Sequence, residues 1–200
     1  MARIHEHELG LTWVMDEPMR RASHALADEG RVWLVDPVDD EAALARTAAL
    51  GTPAAVLQLL DRHNRDCAAI ARRLGVPHHV VPQALSDAPF VPHRVMRTPL
   101  WKEVALWWPV RKGLVVAEVL GTAEVFAVGD GPVGVHPMVR LLPPNGLRRF
   151  EPEHLLVGHG PPVHGDETAH VMQEAIARSR RDTPRLLGRI PAMIRAGRRL

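Results

Sequence analysis

A chain of 200 residues with 46% hydrophobic side chains can bury one sizeable core, so a single domain over residues 1–200 is expected. A formal net charge of +2 is too small to call for nucleic acid, even though arginine far outweighs lysine. The lone cysteine, Cys67, excludes an internal disulfide framework and fits a reducing cytosol. The N-terminus "MARIHEHELGLTW" has no apolar stretch of signal-peptide length, and no apolar run reaches the roughly 18 residues that span a bilayer. A cytoplasmic protein with no membrane contact is expected.

The first clear elements are two short apolar segments, 22–27 and 31–36, joined by Asp28-Glu29-Gly30. That is a hairpin pattern, with Gly30 supplying the permissive turn. Asp39 or Asp40 then caps a helix whose Ala43, Leu44, Ala48 and Leu50 face the core and which stops at Gly51. A buried strand, 54–60, follows and gives way to the polar run Asp61-Arg62-His63-Asn64-Arg65-Asp66-Cys67. An amphipathic helix, 68–74, closes on Gly75 and Pro77. Strand, helix, strand, polar cluster, helix reads as a right-handed βαβ unit with its chemistry at the carboxyl end of a strand, where open α/β sheets bind ligands.

Beyond Pro77 the chain turns β-rich, in "HRVMRT", "EVALWWP" and "GLVVAEVLG", broken by Pro99, Pro109 and Gly113. The Gly/Pro-rich stretch 121–146 is too long for an ordinary connector and is expected to be a lid or irregular cover. "EHLLVGHGPP" is a short strand ending in glycine and histidine. A helix capped by Asp166 then buries Val171, Met172, Ala175 and Ile176. A basic tail, about 184–200, ends the chain. No stacking aromatics accompany its arginines, so no nucleic-acid partner is expected.

The order of these elements and the two strand-end clusters resemble the metallo-β-lactamase superfamily. The resemblance implies an α/β (α+β) fold, an αββα four-layer sandwich carrying one or two metals, usually zinc, on strand-end loops. The family's His-x-His-x-Asp-His motif after an apolar strand falls on Arg62-His63-Asn64-Arg65-Asp66-Cys67, where only the aspartate is kept. Its next histidine falls near Trp101 in "RTPLWKEVAL". Its bridging aspartate matches Glu118 in "LVVAEVLG", and its last histidine matches His159 in "LLVGHGPPV".

In that register one family site is gone. Arg62 cannot lose its proton, Asn64 is a poor zinc ligand and Trp101 offers none. The other keeps four possible ligands, Asp66, Cys67, Glu118 and His159, compatible with a single tetrahedral zinc. A metal-free arrangement competes, with Arg62 in place of a cation beside Asp66, Glu118 and, as a further candidate, Asp130, and Trp101 filling the volume. His63 falls between ligand positions and is expected to point elsewhere. Cys67 as a nucleophile, and His136 and His164 as ligands, are weighed against structural roles, which are preferred.

Two functions follow from the resemblance. One is a non-catalytic, metallohydrolase-like protein that binds a small, anionic or carbonyl-bearing ligand through Arg62, Asn64 and Trp101, with no cofactor. The other is a mono-zinc hydrolase acting on an ester, thioester or amide, with Asp66 orienting the attacking water. A structural role with a plugged cleft and homo-oligomer formation is a third possibility. Fold alone does not decide among them.

Overall fold

The structure is a computed structural model and describes residues 2–185. The basic tail lies, beyond Arg185, outside the described residues. Strands β1 (Ala2–His7) and β2 (Gly10–Met15) form a hairpin, followed by β3 (Ala22–Asp28) and β4 (Arg31–Val35). Helix α1 (Glu41–Leu50) leads to β5 (Thr52–Gln58), and α2 (Cys67–Leu74) to β6 (His78–Val80). These six strands make the first sheet in the order β1-β2-β3-β4-β5-β6. β4 pairs parallel with β5, and β5 with β6, across the two helical crossovers.

The hairpin between β3 and β4 turns on Glu29 and Gly30, both with positive φ, 46° and 75°. Two left-handed residues in a row match the twist of the flanking strands, which explains why this turn closes so tightly. Asp40 rather than Asp39 caps α1, accepting from the Ala43 amide at 3.1 Å. The helix buries Ala43 and Thr47, while Leu44 and Leu50 are half-buried and Ala48 faces water.

The second sheet is built from β7 (Val91–Thr98), β8 (Trp101–Trp108), β9 (Gly113–Val116), β12 (His154–Val157) and β13 (Val163–His164), in the order β13-β12-β9-β8-β7. Between its strands run the short pair β10 (Leu120–Gly121) and β11 (Gly134–Val135). Helix α3 (Thr168–Arg178) follows and places Met172, Ala175 and Ile176 in the core. The stretch 121–146 contributes the end of β10, β11, a 3₁₀ turn, Pro137–Val139, and the start of another, Asn145–Arg149, and is otherwise irregular, yet it buries Phe126, Val133, Val135 and Val139.

Strand alternation sorts the core into two layers. Leu11, Trp13, Ala25 and Leu34 turn outward to meet Cys67, Ile70 and Ala71 of α2 and Ala43 of α1. Leu26, Trp33, Val35 and Leu57 turn the other way and pack with Val104, Leu106, Leu114 and Leu155 of the second sheet. Two helices thus cover one sheet, and that sheet stacks on another. Among the described residues no helix is long and apolar enough to cross a membrane.

Candidate metal centre

Three loops at one end of the stacked sheets carry the polar side chains. The first leaves β5 and holds His63. Its backbone is tied on both sides: Leu59 donates to Asp36 Oδ1 at 3.0 Å, and its carbonyl accepts from Val104 at 3.0 Å. An isolated bridge joins Leu60 to Glu103. His63 is buried, its Nδ1 is 3.1 Å from Asp36 Oδ2, and its Nε2 is 3.8 Å from Glu118 Oε2. A carboxylate only accepts, so Nδ1 carries a ring proton, and Nε2 is the nitrogen that faces Glu118.

The second loop, 117–119, carries Glu118. Its three successive amides, from Ala117, Glu118 and Val119, all donate to Glu103 Oε1, at 3.1, 2.9 and 3.2 Å. Glu103 Oε2 accepts from the Trp101 indole at 2.8 Å. Burial pushes the Glu103 pKa up to about 7, against the pull of these N–H donors. A fully buried acid thus fixes the backbone from which Glu118 projects.

The third loop is the turn Gly158-His159-Gly160 after β12. Both glycines are required. A Cβ on Gly158 would meet the Ala117 carbonyl oxygen at 2.0 Å, and Gly160, at φ +96°, would drive one into Thr122 Oγ1 at 2.3 Å. The turn therefore presses against the loop of Glu118. His159 Nδ1 is 2.8 Å from the Met19 carbonyl, to which it donates. Its Nε2 is buried, has no hydrogen-bond partner, and lies 3.7 Å from Glu118 Oε1. Burial pulls the His159 pKa down to about 4, so the ring stays neutral at pH 7.

His63, Glu118 and His159 offer one ligand atom each, all within 4.8 Å of one another. Among the described residues this is the one such set of three. Two imidazoles and a carboxylate suit zinc with an open position, and each imidazole has its far nitrogen engaged by an oxygen acceptor. The buried, unpartnered Nε2 of His159 is what such a site requires in the absence of its ion. The donor set therefore fits a single cation.

The residues singled out from the sequence fall in different places. Glu118 and His159 come together, but Asp66 and Cys67 do not join them. Asp66 Oδ2 accepts from the Asp39 amide at 2.8 Å, on the side facing α1. Cys67 begins α2 and packs in the layer between helices and sheet, with its Sγ 3.6 Å from the His63 carbonyl. Burial pushes its thiol pKa far above the usual range, which works against a free thiolate nucleophile.

Arg62 stacks its guanidinium 4.8 Å over the Trp101 ring and donates to the Leu100 carbonyl, with Asp61 as its ion partner at 3.9 Å. Asp130 pairs instead with Arg185. Trp101 is buried and meets His136 edge-on, with centroids 4.9 Å apart. Asn64 accepts weakly from Gln58 at 3.4 Å and is exposed. Arg62 and Trp101 thus form one wall of the site, and Asn64 stands apart from it.

Arg65, half-buried, rather than the exposed Arg62, is the cation tied into the backbone around the site. It donates to the carbonyls of Ala22, Asp36 and Gly158 and so ties β3, the end of β4 and the His159 turn together. His63, expected from the sequence to point elsewhere, faces Glu118, and Asp36, not singled out as a site residue, supports it. A strand ending in aspartate just before a helix, as in "VWLVDP", was the available signal for Asp36. For His63 the family register pointed instead to Asp66 of the same loop, which lies apart from the cluster.

Comparison with solved structures puts this geometry in context. The crystal structure of the DIM-1 metallo-β-lactamase exposed to ceftazidime superposes with a TM-score of 0.58 at 12% identity, over 89% of this chain and 97% of that one. The fold is that of the metallo-β-lactamases. The mono-zinc form of the metallo-β-lactamase FIM-1 from Pseudomonas aeruginosa matches with a TM-score of 0.54 at 12% identity, over 90% of this chain and 96% of that one. The di-iron-bound form of TTHA1623 gives 0.54 at 18% identity, over 77% and 94%. No family model matches the sequence, and no curated protein matches it. In this metallo-β-lactamase fold, the candidate centre occupies loops at the ends of β5, β9 and β12.

Proposed function

We propose that this chain is a single-metal, hydrolase-like protein in which His63, Glu118 and His159 hold one divalent ion, with zinc the first candidate. The observation that carries this reading is the pair of locked imidazoles. His63 and His159 each give Nδ1–H to an oxygen and turn Nε2 towards the same carboxylate. Three protein ligands with a remaining open position are the pattern of catalytic rather than structural zinc. Bound there, the ion would supply Lewis acidity and a hydroxide nucleophile near neutral pH.

The chain's own groups have distinct parts in this reading. Asp36 and the Met19 carbonyl orient the two rings, and Glu103 holds the backbone beneath Glu118. Trp101 and Arg62 wall one side and offer an apolar face and a cation to an anionic or carbonyl-bearing small ligand. The loss of Asp66 and Cys67 from the cluster favours one ion rather than two.

A second reading has its own observation. The guanidinium of Arg65 sits fixed beside Asp36 and contributes positive charge to the region of Glu118. This supports a metal-free pocket that binds a small ligand without catalysis. Metal analysis of untagged protein, joined to calorimetric zinc titration of Glu118→Gln, separates the two. One ion per chain, with affinity at least tenfold lower in the variant, sustains the metal reading. Protein that takes up no zinc defeats it. Ion-dependent turnover of generic esters or phosphodiesters then separates an enzyme from a metal-containing binding protein.

A further inference from the structure

A third imidazole faces Glu118 and differs from the other two in the sense of its hydrogen bond. His136 Nε2 lies 3.7 Å from Glu118 Oε1, the same separation as His159. His63 and His159 give their Nδ1–H away, to the Asp36 carboxylate and the Met19 carbonyl. The Nδ1 of His136 instead accepts, from the Met138 amide at 3.2 Å, and so caps the 3₁₀ turn Pro137–Val139. A neutral imidazole has one ring proton, and with Nδ1 occupied as an acceptor that proton resides on Nε2. A nitrogen that carries a proton has no lone pair to offer a cation. His136 also falls outside the set of atoms that lie within 4.8 Å of one another.

We propose that His136 is the hydrogen-bond donor of this site rather than a fourth ligand, its Nε2–H holding an oxygen of an anion or polarised carbonyl that enters beside Glu118. The proposal rests on the single-ion reading of His63, Glu118 and His159. The ring is held in place for this task, edge-on to Trp101 at 4.9 Å and to Phe126 at 5.3 Å. Its side chain is 12% exposed, so it is reachable from solvent and not sealed in the core. A fixed N–H directed to where an oxygen gathers negative charge requires no reorganisation when the ligand arrives. The acceptor class is an oxyanion or carbonyl oxygen, in keeping with Arg62 on the same wall.

Two measurements test it. Long-range 15N–1H correlation spectra of the metal-free protein report ring tautomers directly. The account expects Nε2–H for His136 and Nδ1–H for His63 and His159; Nδ1–H at His136 overturns it. The second measurement loads the protein with Co(II) and titrates it with acetohydroxamate. His136→Phe keeps Co(II) affinity and its visible bands within about twofold, since all three ligands remain, and weakens acetohydroxamate about tenfold, the worth of one hydrogen bond to a charged group. His136→Gln, which keeps an amide donor, recovers part of that loss. Lost Co(II) affinity or shifted bands in His136→Phe make His136 a ligand and sink the proposal, as does unchanged acetohydroxamate binding. Wild-type protein that binds no Co(II) defeats the single-ion reading itself, and the donor role with it.

Discussion

Asp36 Oδ2 lies 3.1 Å from His63 Nδ1, and this contact decides which nitrogen of the ring faces Glu118. Asp36 directly follows β4 with φ +44°, a left-handed conformation that aspartate tolerates better than most residues. Burial pushes its pKa up, but the His63 ring and the Arg65 guanidinium outweigh that, and the carboxyl ends below its usual range. Asp36→Asn preserves the shape and removes the charge. Zinc affinity is expected to fall roughly 10–100-fold, the usual cost of losing a ligand's supporting carboxylate. Calorimetric titration checks it, and unchanged affinity would detach Asp36 from the site.

Glu103 acts on the other ligand loop. With three amides on one oxygen and the Trp101 indole on the other, its replacement by glutamine puts an NH2 against a donor at one position. Glu103→Gln is expected to destabilise the fold by about 1–3 kcal/mol and to weaken the ion, because Glu118 loses its fixed backbone. Urea denaturation and zinc titration of the same variant read both effects. A stable variant with altered zinc affinity alone would confine Glu103 to the site.

Arg65 reaches three carbonyls, and among the described residues those of Ala22 and Gly158 have no other side-chain donor, while that of Asp36 also accepts from Ser23 Oγ at 2.8 Å. Arg65→Met fills the volume but leaves those oxygens and Asp36 without their cation. A loss of about 3–5 kcal/mol is expected, as for a broken buried charge contact. Arg65→Lys should recover little, since one ammonium cannot span a fork-shaped set of acceptors. Chemical denaturation midpoints decide it, and a loss under about 1 kcal/mol in Arg65→Met would contradict the account.

A separate histidine relay sets the acid limit. His7 Nε2 meets Thr12 Oγ1 at 3.0 Å, and Thr12 Oγ1 meets His24 Nδ1 at 2.8 Å. Burial holds His24 down to about 3, and burial followed by the neighbouring His164 does the same to His7, from an ordinary value of 6.5. Between these values the unfolded chain takes up protons that the folded chain refuses. Stability therefore rises with pH from about 3 to about 6.5 and is fully present above that. The urea midpoint should fall as pH drops from 7 to 4. His24→Gln, which cannot titrate, should show a shallower fall, and an identical slope would remove His24 from the cause.

The architecture was readable because it rests on repeated patterns. Alternation in β2 to β5, the Glu29-Gly30 turn and the Gly-His-Gly turn before α3 are each fixed by local chemistry. Glu118 and His159 were readable as candidates for the same reason, since both follow an apolar strand directly. The loop from Leu60 to Asp66 was not. Which of its side chains faces the cleft depends on Arg65 taking φ +42° and on ties to Asp36 and Val104, contacts distant in sequence. Those ties turn His63 inward, and they leave Asp66 near the start of α1 and Cys67, the first residue of α2, packed against the first sheet. His136 was a candidate set behind a structural role, because it lies in a segment with no regular period, where only tertiary packing brings it to Trp101.

The most direct test of the whole account is a crystal structure of zinc-soaked protein with anomalous data at the zinc edge. The account predicts one peak, within about 2.0–2.2 Å of His63 Nε2, His159 Nε2 and a Glu118 oxygen. No peak there, or a peak bounded by Asp66 and Cys67, would contradict it.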